Sequence, residues 1–213
     1  DRTFTDVTEK ANFSQPEGKG MGCVCADLDD DGRPDVFVAN DGMENYLLHN
    51  RGDGTFAEIG LMAGVAFDGS GIPEASMGVD LGDFDRDGLL DMINPCVRKQ
   101  SYTLLRNQGR CFVDVSFSTG LNELTSAVTG FNPSFLDYDN DGDLDLFFTT
   151  GGVRSNELVP PEASYTERYG LPDLLLANDG RGEQVKYVDV SAWAGAHFRR
   201  RWIGRGSAAG RAR

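Results

Sequence analysis

An acidic nine-residue pattern occurs three times in this chain of 213 residues. The copies read DLDDDGRPD from Asp27, DFDRDGLLD from Asp83 and DYDNDGDLD from Asp137, so they begin 56 and 54 residues apart. A regular spacing of this size is typical of repeat architectures, in which each copy is one small supersecondary unit. Several carboxylates in one short turn repel one another unless a positive charge compensates them. The pattern therefore predicts both a repeated fold and a cationic partner.

The sequence around each acidic stretch predicts four short β-strands. One strand precedes the stretch, as in GMGCVCA, and a second follows it, as in DVFVAN. Two more flank a turn rich in Asn and Gly, as in YLLHNRGDGTFAEI, because these residues supply the positive φ that tight hairpins require. The units cover about residues 18–60, 76–117 and 130–191. Residues 1–17 match the last strand of a preceding blade, and residues 192–213 match the start of an incomplete next blade.

Sheets of four antiparallel strands that recur every 40 to 60 residues or so are typical of a β-propeller. A string of independent hairpins is the alternative, but an isolated small sheet buries too little surface to be stable. No segment has a convincing amphipathic helical period, and PPEASYTERYG allows one or two turns at most. The predicted fold class is all-β, as a partial β-propeller of about three four-stranded antiparallel blades in one segment spanning 1–213.

Each acidic loop has the spacing of a calcium site. Counted from the first Asp, carboxylates stand at positions 1, 3, 5 and 9, a Gly stands at position 6, and position 7 offers its backbone carbonyl. Such hard oxygen ligands select Ca²⁺ over softer metals. We expect about three ions. The predicted ligands are Asp27, Asp29, Asp31, Arg33 and Asp35; Asp83, Asp85, Asp87, Leu89 and Asp91; and Asp137, Asp139, Asp141, Asp143 and Asp145, with Arg33, Leu89 and Asp143 contributing carbonyl oxygens.

The EF-hand also begins with alternating aspartates and a glycine, but it needs a bidentate Glu at position 12 and flanking helices. Position 12 is Val38, Asn94 or Phe148 here, each inside a predicted strand. Solvated acidic turns without an ion are the remaining alternative. Three copies in the same register favour the metal over that alternative.

Composition excludes some classes of partner. A formal net charge of -14 and a pI near 4.4 argue against nucleic acid, because phosphate contacts need clustered Lys and Arg. No apolar run has the length of a membrane span. Cys23 and Cys25 alternate along a predicted strand and are expected to be small buried thiols. With Cys96 and Cys111 they are too few and scattered for a disulfide framework, and no Cys/His cluster indicates zinc.

The segments GVDLGDFDRDGLLDMIN and FLDYDNDGDLDLFFTTGG resemble FG-GAP/VCBS repeats, the calcium-binding propeller repeats of integrin α subunits. The segments LLHNRGDGTFAEIGLMAGV, LLRNQGRCFVDVS and YVDVSAWAGAHF are more similar to the bacterial relatives of cartilage acidic protein, which often end in an ASPIC/UnbV domain. This resemblance implies a propeller of about seven blades, an extracellular or periplasmic location and no dedicated catalytic site. Three blades do not close a ring, so missing blades or a second chain would be needed.

We therefore expect a secreted, periplasmic or cell-surface calcium-binding module that binds or scaffolds an extracellular protein or carbohydrate, and not an enzyme. The start at Asp1, without a charged and then apolar leader, leaves both an intracellular protein and a removed signal peptide open. His49 and His197 are the only histidines, and the positions equivalent to His49 are Arg106 and Ala177, so nothing there demands an imidazole. Two alternatives stay open: a non-catalytic propeller of a larger secreted enzyme, such as a polysaccharide lyase or lipase, and structural padding in a surface protein.

Strand alternation places the acidic loops and the Asn–Gly turns on one face of the propeller. The opposite face carries longer and more varied connections, where binding residues are usually found. The longest runs over 151–173 and contains Arg154, Tyr165, Arg168 and Tyr169, which are of types favoured at interfaces. A tolerated insertion is the alternative interpretation of this loop.

The carboxyl end is rich in arginine. Aligning Gly206 with Gly22 and Gly78 places Arg211 and Arg213 where the first and third aspartates of a fourth acidic loop would stand. A shifted reading frame explains this substitution of Arg for Asp, and a basic interaction tail is the alternative.

Overall fold

The computed structural model describes residues 3–15, 17–153, 160, 162–180 and 185–208. Its strands form three four-stranded antiparallel sheets, each with its strands in chain order. The all-β partial propeller predicted from the sequence is confirmed. The strands are β1 (Gly20–Ala26), β2 (Asp35–Asn40), β3 (Tyr46–Asn50) and β4 (Phe56–Glu58) in the first blade; β5 (Asp80–Gly82), β6 (Asp91–Asn94), β7 (Thr103–Asn107) and β8 (Phe112–Asp114) in the second; and β9 (Gly130–Leu136), β10 (Asp145–Thr150), β11 (Leu174–Asn178) and β12 (Tyr187–Asp189) in the third.

The helical segments within the described residues are short. They are α1 (Gly60–Ala63), α2 (Leu121–Thr125), α3 (Tyr165–Tyr169) and a 3₁₀ turn at His197–Arg199. The first two helices follow the outermost strands of the first and second blades, within connections where no helix was predicted. No helix in the described part of the chain has the length and apolar character needed to cross a membrane.

The core lies between the blades, because alternate side chains of a strand point to opposite faces of its sheet. In the second blade, Met92 and Leu105 pack toward the first blade, against residues such as Phe37 and Leu47. Their strand neighbours Ile93 and Leu104 pack toward the third blade. Each inter-blade interface therefore has its own apolar cluster, and the second blade contributes to both.

The backbones of successive blades approach one another in or just before the first strand of each blade. A Cβ atom added to Gly22 would lie 3.0 Å from the Cα of Gly78, and one added to Gly78 would lie 2.1 Å from the carbonyl oxygen of Phe131. Any side chain larger than hydrogen at Gly78 would therefore displace the neighbouring backbone. These contacts hold the acidic loops, which follow the first strands, side by side on one face.

The segments at the two ends of the described chain pack against the outer blades. Residues 3–7, which the sequence predicts to be a strand of a preceding blade, form no sheet pairing within the described residues. Farther along, the backbone N–H of Phe56 donates to the carbonyl of Ala11 at 2.8 Å. At the other end, Gly204 donates to the carbonyl of Thr150 at 2.7 Å, and the amide of Asn132 donates to the Ser207 hydroxyl at 2.9 Å. The assignment of both segments to neighbouring blades stays a prediction.

The interpretation of Cys23 and Cys25 as buried thiols is wrong, because both are exposed and free. Val24 and Ala26 on the same strand pack into the cluster shared with the second blade. Cys23 and Cys25 therefore point to the opposite face of β1, away from that cluster. Cys96 is fully buried, and Cys111 is partly buried.

Candidate metal centres

The three acidic loops share one backbone conformation. Position 4 of each loop has a left-handed φ although it is not glycine: 58° at Asp30, 62° at Arg86 and 63° at Asn140. The glycine at position 6 is also left-handed, at 83°, 92° and 91° for Gly32, Gly88 and Gly142. Glycine adopts this conformation without steric cost, and Asn and Asp tolerate it better than most residues. These two residues wind the loop tightly, so that alternate side chains can point inward.

The first aspartate of each loop accepts hydrogen bonds from the far side of the same loop. In the second loop, Asp83 accepts from the backbone N–H of Asp87 through Oδ1 and of Gly88 through Oδ2, both at 3.0 Å. The first loop repeats both bonds, at 3.0 and 2.8 Å, and the third repeats the one from its glycine at 3.2 Å. This aspartate therefore closes the turn through hydrogen bonds within the loop.

The aspartate at position 9 of each loop is buried and connects the loop to the Asn–Gly turn of its blade by hydrogen bonds. Asp91 is 0% exposed; its Oδ1 accepts from the backbone N–H of Asn107 at 2.8 Å, and its Oδ2 accepts from that of Phe84 at 3.1 Å. The same pair of bonds recurs at Asp35 and at Asp145. The acidic loop and the Asn–Gly turn therefore lie together on one face, as the strand alternation indicates.

The asparagine that opens each Asn–Gly turn has a structural role of its own. In the second blade, the side-chain Oδ1 of Asn107 accepts from the backbone N–H of Gly109 at 2.8 Å. Its Nδ2 donates to the carbonyl of Leu90 at 3.0 Å and to that of Leu28, in the first acidic loop, at 2.8 Å. Asn107 therefore connects the loops of two successive blades.

Carboxylate oxygens converge in all three loops. In each of the following groups, one ligand atom per residue lies within 4.8 Å of the others: Asp27, Asp29 and Asp31; Asp83, Asp85 and Asp91; and Asp137, Asp139 and Asp145. Asp35 forms a further group of this kind with Asp29 and His49.

The aspartates at position 5 of the second and third loops do not belong to these groups. Asp87 accepts from the backbone N–H of Leu89, and Asp141 from that of Asp143, both at 2.9 Å. The geometry thus gathers most, but not all, of the predicted carboxylates. The role of the Arg33, Leu89 and Asp143 carbonyls as ligands stays a prediction.

The loops hold their carboxylates in an environment that disfavours negative charge. Burial raises the pKa of Asp91 to about 7, even though two backbone N–H groups stabilise its ionised form. Burial, and then nearby carboxylates, raise the pKa of Asp29. Burial also raises the pKa of Asp85 and Asp145, with neighbouring aspartates adding to the effect. A bound cation would reverse these shifts, because it favours the ionised carboxylates.

A side chain from the third strand of the blade faces the loop in the first two blades. His49 Nδ1 lies 3.4 Å from Asp29 Oδ2 and 3.2 Å from Asp35 Oδ1, whereas Arg106 lies 3.9 Å from Asp85. His49 and Arg106 occupy equivalent positions in the two repeats, but their contact with the acidic loops was not predicted from the sequence. The signal available was that both side chains are basic and precede the asparagine of the Asn–Gly turn.

Two further arginines neutralise loop aspartates. Arg33 pairs with Asp31 of its own loop, and its Nε donates to the carbonyl of Asn50 at 2.9 Å. Arg86 of the second loop lies 2.5 Å from Asp143 of the third loop. The side chain of Asp143 is therefore not free in solvent, because it bridges two blades.

Clefts open between successive blades beside the loops. The first has a volume of about 430 Å³ and is lined by Asp29, Asp31, Asp35 and His49 from the first blade and by Arg110 and Phe112 from the second, among others. The second, of about 250 Å³, occupies the equivalent place between the second and third blades and includes Asp85 and Arg106. The position 3 aspartate of a loop therefore lines each cleft.

The other histidine, His197, is far from the acidic loops in the sequence. It lies beside Asp173, at the end of β11 that is opposite the Asn–Gly turn. His197 Nε2 lies 2.8 Å from Asp173 Oδ2, and its ring stacks on Trp202 with centroids 5.1 Å apart. Within the described residues, neither histidine lies beside a hydroxyl or thiol nucleophile in a hydrogen-bonded triad.

The varied face carries part of the predicted interface loop. Tyr165 and Tyr169 lie on α3, where their rings approach to 4.6 Å, and Tyr165 is exposed. The side chain of Ser164 and that of Glu167 cap the helix reciprocally. Arg154, and also Arg211 and Arg213 of the arginine-rich end, lie outside the described residues.

Comparison with known proteins agrees with the repeat. Residues 27–93 match the FG-GAP-like repeat family. The chain is 31% identical over 157 residues to human cartilage acidic protein 1, an alignment that covers 71% of this chain and 22% of the human protein. It is 29% identical over 189 residues to cartilage acidic protein 1 of Xenopus tropicalis, covering 76% of this chain and 27% of that protein. The chain thus spans about a quarter of the length of these curated relatives.

Proposed function

We propose, for a chain that carries FG-GAP-like repeats and is homologous to cartilage acidic protein 1, that it is a calcium-stabilised propeller module that binds or scaffolds an extracellular partner. The observation that carries the proposal is the convergence of three carboxylate oxygens within 4.8 Å in each of three loops of the same conformation. The module is non-catalytic and acts outside the cytoplasm, at the cell surface or as a secreted protein.

Charge balance supports a cation in each loop. In the second loop the group Asp83, Asp85 and Asp91 faces a single arginine, Arg106, which is 3.9 Å from Asp85. Burial and mutual repulsion already raise the pKa of two of these carboxyl groups. In the first loop, Asp29 Oδ1 is buried and has no hydrogen-bond partner. A divalent ion would compensate the excess negative charge, and it would give the unpartnered Asp29 oxygen a partner.

The donor set favours calcium among the divalent ions. Carboxylate and carbonyl oxygens are hard ligands, which suit Ca²⁺ and Mg²⁺ better than softer metals. Ca²⁺ accepts six to eight oxygens in a flexible shell, whereas Mg²⁺ requires near-octahedral geometry and gives up water reluctantly. A loop whose aspartates are fixed by backbone hydrogen bonds adjusts poorly to that stricter geometry.

Two surfaces are available to the partner: the varied face, which is opposite the acidic loops, and the inter-blade clefts beside the loops. The varied face offers the exposed Tyr165 on its longest connection, and the position 3 aspartates of the first two loops line the inter-blade clefts. Both surfaces lie on a frame that the loops hold together. We therefore propose that calcium acts mainly by fixing the blades, and that an extracellular protein or carbohydrate is bound by the connections.

Thermal unfolding in calcium, in magnesium and in chelator tests the calcium sites. With dissociation constants of about 0.1 to 1 mM, which are usual for extracellular modules, about 1 mM Ca²⁺ stabilises by roughly 0.4 to 1.4 kcal/mol per site. We expect the melting temperature to rise in calcium and to stay near the chelator value in magnesium. Asp85→Ala, which removes a member of the converging group of the second loop, should remove one of three sites, whereas Glu123→Ala, an exposed carboxylate outside the loops, should remove none. Equal midpoints in all three solutions would contradict the proposal.

A further inference from the structure

A second set of oxygen atoms is buried in the second blade, apart from the acidic loops. Glu74 is 4% exposed, and Ser76 and Asn94 are 0% and 1% exposed. The hydroxyl of Thr103 donates to Glu74 Oε2. Asn94 and Thr103 are cross-strand partners on β6 and β7, so their side chains share one face of the sheet. Cys96, which is also buried, lies beside Glu74 and Ser76.

The backbone fixes this group between two blades. The segment that carries Glu74 and Ser76 runs past the end of β2, where Gly42 donates to the Glu74 carbonyl and Ser76 donates to the Asn40 carbonyl, both at 3.0 Å. The next residue, Met77, donates to the carbonyl of Pro95 just beyond β6, at 2.8 Å. The group is thus held at the ends of β2 and β6 that are farthest from the acidic loops.

The repeat does not require polar residues at these places. The cross-strand pair Asn94 and Thr103 of the second blade is equivalent to Val38 and Tyr46 in the first blade and to Phe148 and Leu174 in the third. The other two blades therefore fill this position with largely apolar side chains. The second blade instead places an amide and a hydroxyl at this position, next to the buried Glu74 and Ser76.

Several of these polar atoms have no protein partner. The Ser76 hydroxyl and both the Oδ1 and the Nδ2 atoms of Asn94 are buried without a hydrogen bond. Buried polar groups in folded proteins are nearly always paired, with protein, water or an ion. The unpartnered oxygen atoms of Ser76 and Asn94 therefore indicate a bound species beside them. A cation would be coordinated by these oxygens and not by the Asn94 N–H group, which needs an acceptor such as water.

The charge of that species follows from the surroundings of Glu74. The charged groups that act on it most strongly are Asp68 and Asp114, and both are negative. Among the described residues, no Lys, Arg or His forms an ion pair with Glu74. A water molecule would satisfy the neutral partners, but Glu74, whose pKa is raised to about 7 chiefly by burial, would then keep a proton, whereas a bound cation would keep it ionised.

We propose that Glu74, Ser76, Asn94 and Thr103 form a buried site for a single dehydrated alkali-metal ion. The four side chains offer one carboxylate, one amide and two hydroxyl oxygens, all of them hard donors. One negative charge matches one positive charge, whereas a divalent ion would leave an unbalanced charge inside the protein. The ion would join the segment before β5 to the centre of the second blade, and so brace its contact with the first.

Thermal unfolding of the full chain in different salts tests this site. Sodium, potassium and choline chloride are compared at equal ionic strength, with saturating calcium throughout so that the loop sites do not vary. Choline is too large for a buried site. We expect the wild type to melt about 3 to 6 °C higher in sodium or potassium than in choline. Glu74→Gln should lose that difference, and Glu44→Gln, which changes an exposed glutamate, should keep it.

Two outcomes would overturn the proposal. If the wild type melts equally in all three salts and Glu74→Gln is as stable, Glu74 is neutralised by a proton. If only calcium beyond loop saturation raises the midpoint, and Glu74→Gln abolishes that rise, the site is divalent. Because Glu74→Gln could fail to fold, Asn94→Val, which copies Val38 of the first blade, provides a second variant and should also lose the salt difference.

A direct measurement completes the test. Crystals soaked in thallous ion should show anomalous density between Glu74 and Asn94 in the wild type and none in Asn94→Val. Absence of that density in the wild type would contradict the site even if the melting temperatures differ. Failure of the loops to bind calcium would leave these measurements unaffected, so the two proposals fail separately.

Discussion

The first and second acidic loops have the same backbone, yet they present their aspartates to different neighbours. In both, the first and ninth aspartates accept the same backbone hydrogen bonds, and positions 4 and 6 are left-handed. The position 3 aspartate, however, faces the imidazole of His49 in the first blade and the guanidinium of Arg106 in the second. Loop shape is thus set within the loop, whereas the charge around it is set by a neighbouring strand.

This difference indicates that the aspartates at different loop positions have different roles. Positions 1 and 9 hold the turn closed and attach it to the Asn–Gly turn, so they are needed for folding as well as for any ion. Position 3 is less constrained by the backbone and lines the inter-blade cleft in the first two loops. Its neighbour can therefore change from blade to blade without loss of the fold.

Removing the shared part should have the largest effect. Asp91→Ala leaves the backbone N–H groups of Phe84 and Asn107 buried without an acceptor, so we expect a loss of about 2 to 4 kcal/mol in ion-free buffer. Asp87→Ala, in the exposed part of the same loop, should cost less than about 1 kcal/mol there. Urea denaturation measures both. Similar losses for the two variants would contradict the division of roles.

The pH dependence of stability examines the same buried carboxyl group. Burial raises the pKa of Asp91 from 3.8 to about 7, so between these values the native protein holds a proton that the unfolded chain has released. Stability without an ion should therefore fall as the pH rises through this window, by up to about 1.4 kcal/mol per pH unit from this group.

Calcium should remove that slope, because it favours the ionised carboxylate, and Asp91→Asn should also remove it because the amide does not titrate. Urea denaturation at several pH values, with and without calcium, provides the measurement. A slope of the same size in Asp91→Asn would show that other groups are responsible.

The basic side chain beside the position 3 aspartate differs between the loops, and we expect it to change the affinity for calcium. Arg106 repels a cation near Asp85, so Arg106→Gln should tighten calcium binding at the second loop by about two- to fivefold, a modest effect because the pair is partly exposed. Titration calorimetry in an Asp31→Ala, Asp139→Ala background, which removes one member of the converging group in each of the other two loops, isolates that loop. Arg51→Gln, an exposed arginine elsewhere, is the matched control. Weaker binding in Arg106→Gln would mean that the guanidinium positions Asp85 instead.

The smallest effect is expected at the bridge between the second and third loops. Arg86 and Asp143 are both partly exposed, so a double-mutant cycle should give a coupling of about 0.2 to 1 kcal/mol that falls at high salt. Arg86→Asn is the suitable change, because Asn140 occupies the same left-handed position in the third loop. A coupling above about 2 kcal/mol would show that the bridge is not an ordinary surface pair.

Much of the fold was predictable from the sequence because its signals are local and repeated. The spacing of the acidic stretches, the strand after each one and the Asn–Gly turns together predict three four-stranded sheets. The convergence of the position 1 and position 3 aspartates was also predictable, since alternate side chains of a tight turn share one side. These features depend on residues that are close together in the sequence.

What could not be predicted depends on contacts between distant segments. The exposure of Cys23 follows from which face of β1 meets the second blade, and alternation alone does not choose the face. The bond from Asn107 to the Leu28 carbonyl joins residues that are 79 positions apart. The burial of Glu74 depends on a connection whose composition resembles that of a surface loop. In each case tertiary packing, and not the local pattern, decides the outcome.

The backbone contacts at Gly22, Gly78 and Phe131 affect how such a chain can change during evolution. Because main chain meets main chain there, the distance between blades does not depend on the sizes of side chains that differ from unit to unit. Duplication or deletion of a whole unit therefore preserves the spacing of its neighbours. A single substitution at Gly78 does not, since even a methyl group would collide with the Phe131 carbonyl. Whole units can thus be added or removed without changing this spacing, whereas Gly78 has no room for a side chain.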